Sequence, residues 1–184
     1  MDRFVVALAN WWGNRFLSRI CTPLAMALFI SGNVLAIIEV IRRYVFGVSF
    51  VWQQDFVVAA VLTGTCVYFA VTEWGHAHIA VTFIREMVEL PQYTTPRRVR
   101  ITQLMQATAD IITTVFLTLL IVWGLPMIAQ YQALGIKMPS QSFPFWPFWV
   151  VFMVGLIMYA FTALIHAYLG FRGIAPPISP EDEL

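Results

Sequence analysis

Three acidic side chains lie in or beside long apolar stretches of the chain, where an ionised group is costly and is therefore a candidate for function. They are Glu39, Asp55 and Asp110. Arg42 and Arg43 follow Glu39 by three and four residues, about one helical turn. A pair between Glu39 and Arg43, shared with Asp55, is the structural explanation for two of these acids. We therefore expect an outer polar cluster that consists of Glu39, Arg42, Arg43 and Asp55.

Asp110 lies at one end of its apolar stretch, near Gln103 and Gln106. A carboxylate at that depth is tolerated in a bilayer only where it finds a polar neighbour or water. The side chain would either face a partner or reach water at the lipid headgroups, and the sequence leaves both alternatives open.

The three histidines suggest a haem site, because helical membrane proteins can hold haem between histidines of two helices. His166 lies in an apolar stretch, whereas His76 and His78 lie in a connection between two such stretches. A bis-histidine haem pocket normally lies inside a helical bundle. We therefore expect no haem, and no metal or other cofactor, in this chain.

Sequence motifs of enzymes and of conduction paths are both missing. The chain has no GxSxG, HExxH or CxxC motif and no glycine-rich phosphate loop. Its apolar stretches hold few polar residues, no carboxylate at their middle, and no inverted pair of helices broken by glycine or proline. We expect a protein that is not an enzyme, has no catalytic residue and does not transport a substrate by itself.

The composition is that of a membrane protein. Of 184 residues, 60% are hydrophobic and 11% are charged, whereas soluble domains have about 45–50% apolar and about 25% charged residues. The net charge is +1, from 11 basic and 10 acidic residues, which excludes nucleic acid as a partner. Cys21 and Cys66 have no CxxC spacing, and we interpret them as small buried hydrophobes.

Four stretches are long and apolar enough to cross the hydrocarbon core, for which about 20 residues are needed. They cover about residues 23–41, 51–71, 111–128 and 148–169. The sequence thus predicts an all-α integral membrane protein with four transmembrane helices in a single domain, residues 1–172. The remaining residues, 173–184, are rich in proline and acids, and we expect them to be disordered.

Basic residues predict the orientation of these helices. Eight Lys and Arg residues fall in the N-terminal segment, the second-to-third connection and the tail, against three on the other side. Those three are Arg42, Arg43 and Lys137. The positive-inside rule then places both termini and the connection around Arg97 in the cytoplasm.

Two further segments have the pattern of helices that lie on a membrane surface. The apolar side of residues 2–20 consists of Val5, Val6, Trp12, Phe16, Leu17 and Ile20. The apolar stripe of residues 79–90 consists of Ile79, Phe83, Met87 and Leu90. We expect one or two interfacial amphipathic helices there. Tryptophans expected to anchor the chain at the membrane interface are Trp11, Trp12, Trp74, Trp146 and Trp149.

The third transmembrane helix should begin before its apolar core. Thr95 is a capping residue and Pro96 suits the first helical position, so one helix is predicted over residues 96–130. Pro126 should kink it. The next connection, residues 137–147, holds three prolines among aromatic residues, which indicates a stiff loop at headgroup level.

Around the second span the sequence reads RYVFGVS, then WQQD, and after the helix GHAHIAV. These runs resemble the small membrane subunit of tripartite ATP-independent periplasmic (TRAP) transporters, the DctQ-like family. Its members have R-Y-x-F-G-x-S, a tryptophan followed by paired acids, and later G-x-H-I-x-V-D. The matching positions are Arg43, Tyr44, Phe46, Gly47, Ser49, Trp52, Asp55, His78, Ile79 and Val81.

The sequence departs from the family pattern at three places. Gln54 replaces one of the two acids, so that only Asp55 keeps the charge. His76 stands where the glycine of the later motif is usual, with Gly75 one residue earlier, and Thr82 replaces the closing aspartate.

The resemblance implies a bacterial inner membrane complex of three proteins. A large membrane subunit would move substrate and a coupling ion, sodium, by an elevator motion, and a periplasmic binding protein would deliver an organic acid. The small subunit would brace the scaffold of the large one. Two alternatives from other classes are a membrane anchor of a haem- or quinone-linked respiratory complex and a small self-assembling channel.

Overall fold

The computed structural model describes residues 2–48, 50–75, 96–140 and 143–174. The described part is helical: α1 (Asp2–Asn10), a π-helix (Trp11–Cys21), α2 (Thr22–Val45), α3 (Val51–Trp74), α4 (Pro96–Ala133) and α5 (Trp146–Arg172). Four helical runs are long and apolar enough to cross a membrane. The all-α, four-span prediction is confirmed. The predicted interfacial helix at residues 79–90 and most of the predicted tail lie outside the described residues.

The N-terminal segment continues into α2 without a break. At the junction, the backbone N–H of Thr22 donates to the carbonyl of Leu17, five residues earlier. The Thr22 hydroxyl donates to the same carbonyl, with 3.1 Å between the two oxygens. A backbone N–H that donates to the carbonyl five residues earlier defines the wide turn of a π-helix, which is rare and short in most proteins. Buried positions in this region recur every four residues, at Ala9, Gly13, Leu17, Cys21 and Ala25.

The apolar side predicted for residues 2–20 assumes an α-helical period, and the wide turn changes which residues share a face. Ile20, predicted on the apolar side, is 55% exposed, whereas Leu17 is buried. A helix with i to i−5 bonds rotates less per residue than an α-helix, so Ile20 lies away from the buried side of the segment. Trp12 and Phe16 pack against that buried side.

The four membrane helices form a single layer in the order α2, α3, α5, α4. Extensive packing in the described part joins α2 to α3, α3 to α5 and α5 to α4. Within the most apolar 18 residues of each run, 33% and 39% are buried in α3 and α5, against 11% in the runs that contain α2 and α4. The two outer helices therefore each have one main neighbour, and much of their apolar surface is uncovered.

A glycine lies at the close approach of each pair of neighbours. Gly32 and Gly64 lie between α2 and α3, Gly155 faces Cys66 of α3, and Gly124 and Gly170 face α4–α5 contacts. Small residues at crossings let helix backbones approach, which is how membrane helices associate where lipid is as apolar as the side chains.

The N-terminal segment packs across the last turns of α3 and α5. The indole of Trp74 lies directly over Gly13. Trp12 donates from Nε1 to the hydroxyl of Thr162 at 3.0 Å and packs edge-on against Phe161. Leu17, Ile165 and Leu169 complete one hydrophobic core at this end.

Helix α4 begins at Pro96, as predicted, and runs through Pro126 to Ala133, three residues beyond the predicted end. Trp149 of α5 donates from Nε1 to the carbonyl of Gly124 at 3.1 Å. This bond joins the two helices two residues before the proline. The kink at Pro126 stays a prediction.

We expect Gly155→Ala to destabilise the layer. A methyl at position 155 would lie 2.7 Å from the Cβ and 2.9 Å from the carbonyl oxygen of Cys66, so α3 and α5 must separate, at a cost of about 1–3 kcal/mol. The measurement is made on the chain purified with the large membrane subunit that the resemblance implies, and it is the temperature at which half of the complex no longer elutes as a single peak from a sizing column. Gly64→Ala is the matched control, because its methyl meets neighbours at an ordinary 3.4 Å. Equal midpoints for the two variants would contradict the close approach.

Candidate functional site

The carboxylate of Asp55 holds the connection between α4 and α5. Asp55 is buried in the second turn of α3. Its Oδ2 accepts a hydrogen bond from the backbone N–H of Ser140 at 3.1 Å and a second from the Ser140 hydroxyl. Because both donors belong to one residue 85 positions away, the contact fixes the connection against the first turns of α3.

Ser140 is presented by a short hairpin. Lys137 and Pro144 form an isolated antiparallel bridge. The N–H of Met138 donates to the carbonyl of Phe143 at 2.9 Å, and that of Phe145 donates to Ile136 at 3.0 Å. We call residues 136–140 and 143–145 the α4–α5 hairpin. The stiffness predicted for the loop of residues 137–147 stays a prediction.

Arg42 joins α2 to α3 at the same end of the layer. Its Nη1 donates to the side-chain oxygen of Gln53 at 3.4 Å, and its guanidinium lies 3.8 Å from the centre of the Phe50 ring. Gln53 is buried and donates from Nε2 to the backbone carbonyl of Leu35 at 3.0 Å. These contacts bridge the α2–α3 turn through side chains of both helices.

The four members of the predicted outer polar cluster are thus found in two separate sets of contacts. Arg42 bonds to Gln53, and Asp55 bonds to Ser140. Glu39 is half-buried and Arg43 is exposed. In the part of the chain that the structure describes, no ion pair joins Asp55 to the other three members.

Sequence reasoning did not find Gln53 and Ser140. Gln53 carried a usable signal, because it is an amide in the first turn of an apolar span. Ser140 carried none, since serine is common in loops and its partner is distant in the sequence.

A second polar cluster joins three helices at the opposite end of the layer. It consists of Glu73 on α3, Asp110 on α4 and Tyr159 on α5. The two acids are buried. The Tyr159 hydroxyl donates to the Glu73 carboxylate, and Asp110 lies within electrostatic range of both. Asp110 therefore faces neighbouring helices of its own chain, an arrangement that neither alternative from the sequence included.

The structure places one of the three histidines. His166 is buried, with its ring centre 5.0 Å from that of Trp74. His76 and His78 lie outside the described residues. Within the described ranges, no group of three or more His, Cys, Asp or Glu side chains is arranged to hold a metal ion.

The five predicted interface tryptophans divide into two groups. Trp74 is buried, and Trp12 and Trp149 donate hydrogen bonds to acceptors on α5 and α4. These three hold helices together. Trp11 and Trp146 keep exposed surface, which an anchor at the headgroups requires.

Residues of the family motif gather at the α2–α3 turn. Arg43, Tyr44 and Phe46 are exposed there, and Gly47 has φ of 67°, a conformation that favours glycine. Trp52 stacks on Phe50, with ring centres 6.0 Å apart. The motif positions Ser49, His78, Ile79 and Val81 lie outside the described residues.

We expect Asp55→Ala to release the α4–α5 hairpin. Hydrogen bonds to a charged group contribute about 1.5–3 kcal/mol, so the open form of the hairpin should become roughly tenfold or more populated. Lys137 is the single lysine of the chain, and a lysine-specific protease therefore reports on this hairpin alone. Its cleavage rate should rise with the open population.

The control for this measurement is Gln54→Ala, which changes the exposed neighbour of Asp55. The double variant Asp55→Ala/Ser140→Ala should be cleaved no faster than Asp55→Ala, because the two residues act through one contact. Unchanged cleavage in Asp55→Ala, or additive effects in the double variant, would contradict the contact.

Comparison with known proteins gives a family. The family model of the tripartite ATP-independent periplasmic transporters, DctQ component, matches residues 33–173, which is more than half of the chain. No match was found among curated proteins or among solved structures. The match includes the α2–α3 turn, the Asp55–Ser140 contact and the cluster around Glu73. The chain therefore belongs to the DctQ family and is the small membrane subunit of a TRAP transporter.

Proposed function

We propose that this subunit braces the immobile part of the large TRAP permease, which itself moves the substrate. The single-layer arrangement carries the proposal. In a membrane, apolar helices gain little from contact with one another beyond close packing. A layer whose outer helices α2 and α4 each have one main neighbour therefore leaves two broad faces for a larger protein to pack against.

Helix α4 supplies the clearest contact surface. Its one extensive partner in the described part is α5, and Trp123 on its far side is 80% exposed. Phe116 and Leu119 are also more than half exposed. Aromatic side chains are enriched at protein interfaces because they bury a large area with few rotatable bonds. We propose that this side of α4 contacts the large subunit.

A brace must also be stiff, and the layer is fixed at both ends. Asp55 with Ser140, and Arg42 with Gln53, join helices at one end. At the other end Tyr159 bonds to Glu73 beside Asp110. Buried polar contacts of this kind disfavour sliding of one helix past another, because sliding would leave a buried polar group unbonded.

We further propose that the complex transports organic acids supplied by a periplasmic binding protein. The substrate and the coupling ion, sodium, would bind in the large subunit, and this chain would hold neither. The support for this part is the family of the chain, whose members work with both partners. In this proposal residues 1–172 form one four-helix domain of the bacterial inner membrane, and the separate contacts of Arg42 and Asp55 serve assembly.

The proposed orientation can be tested by labelling. With both termini in the cytoplasm, a membrane-impermeant thiol reagent added to the periplasmic side should modify Leu134→Cys and miss Ser179→Cys. Leu134 is exposed between α4 and the hairpin, and the native cysteines are both buried. Modification of Ser179→Cys and not of Leu134→Cys would show the opposite topology.

The brace is tested by a photo-crosslinking amino acid at Trp123. We expect it to crosslink the large subunit. In proteoliposomes, the crosslinked complexes should take up labelled carboxylic acids, driven by sodium, at a rate within about twofold of the complexes that are not crosslinked. The reason is that a brace does not move relative to its scaffold. Ile112, on the same exposed side of α4 as Trp123, is a second position and should behave in the same way. Loss of uptake in proportion to crosslinking at both positions would show that this interface moves.

Expression of this chain without the large subunit gives an independent test of the bracing role. Without its partner the chain should aggregate in detergent, because its wide apolar faces lack cover. A monodisperse and thermally stable monomer would count against the bracing role.

A further inference from the structure

The N-terminal helical run has a second regular face, opposite its buried one. Residues at four-residue spacing, each exposed, form it: Arg3, Ala7, Trp11, Arg15 and Arg19. We call these residues the arginine face. They are offset by two residues from the buried positions Ala9, Gly13, Leu17 and Cys21. With about four residues in each turn, an offset of two is half a turn.

The π-helix is what keeps the arginine face straight. An α-helix has 3.6 residues per turn, so a step of four residues passes a full turn and drifts in one direction. In the π-helix the bonds reach back five residues, and the same step falls short of a turn. The drift across α1 is thus opposed by the drift across residues Trp11–Cys21. Arg3, Arg15 and Arg19 therefore point to a common side.

The length of α2 places this face at a membrane surface. Its 24 residues span about 36 Å, which suffices for a hydrocarbon core of about 30 Å. Arg15 and Arg19 lie in the turns immediately before α2, so they lie at the headgroups where α2 begins. Trp11 is 51% exposed and stacks on Phe16, with ring centres 6.1 Å apart. An exposed indole beside arginines is typical of the headgroup region.

The charge of the arginine face is not compensated by the described part of the chain. Among the side chains that the structure describes, which do not include that of Asp2, no carboxylate forms an ion pair with Arg3, Arg15 or Arg19. A guanidinium pairs with phosphate through two parallel hydrogen bonds. We propose that the arginine face binds the phosphate headgroups of anionic phospholipids and so holds the N-terminal segment at the bilayer surface. This inference does not rest on the bracing role.

Quenching of Trp11 fluorescence tests the proposal. The full-length chain, purified with its large subunit, is placed in nanodiscs that contain either brominated phosphatidylglycerol or brominated phosphatidylcholine at equal mole fraction. The difference between the native chain and Trp11→Phe isolates the signal of this tryptophan. We expect stronger quenching by the brominated phosphatidylglycerol, and a weaker preference at high salt because exposed charges are screened.

Removing the arginines should remove the preference. Each arginine near an anionic surface contributes roughly a fivefold gain in lipid affinity, so Arg15→Gln/Arg19→Gln should lower the preference by at least about tenfold. Arg43→Gln, an exposed arginine at the other end of α2, is the matched control and should leave it unchanged. Three results would overturn the proposal: equal quenching by the two lipids, a preference that survives the double substitution, or a Trp11 that neither lipid quenches because a protein surface covers it.

Discussion

Close approach of helix backbones is the constraint on which this structure depends. In lipid, an apolar side chain gains almost nothing by leaving the solvent, so helices associate through shape and dispersion. The contact of Gly155 with the backbone of Cys66, and that of Gly170 with Ala107, provide this fit. Glycines lie at the contact of each neighbouring pair in the order α2, α3, α5, α4.

A single layer has little buried volume. Its few polar contacts therefore contribute much to fixing the positions of the helices relative to one another. At each end of the layer, a buried acid accepts a hydrogen bond from a residue of a different helix or connection. Asp55 meets Ser140, and Glu73 meets Tyr159. Packing against glycine alone would let one helix slide along another. A buried carboxylate opposes sliding, because losing its hydrogen-bond donor costs free energy.

The sequence predicted the features that depend on local composition. Apolar length located four spans, Pro96 located the start of α4, and the cost of burying charge singled out Asp55 and Asp110. The partners of these acids were not predictable, because they lie on other helices and nothing in local spacing selects them. The π-helix was not predicted for a different reason. A helical wheel assumes one period along the whole segment, so it cannot show a stretch with a wider turn.

The length of α4 limits how the proposed brace can lie in the membrane. Its 38 residues span about 57 Å, far more than a hydrocarbon core of about 30 Å, so it must tilt strongly or project into water. Gly170 of α5 packs on Ala107 within the first third of α4, which keeps that part of the helix joined to the layer. The arginine face and the α4–α5 hairpin lie at opposite ends of the same layer. With the arginine face at the headgroups, as we propose, further tilt would draw arginine side chains or the Asp55 contact into hydrocarbon, and the cost of burying charge there opposes such a tilt.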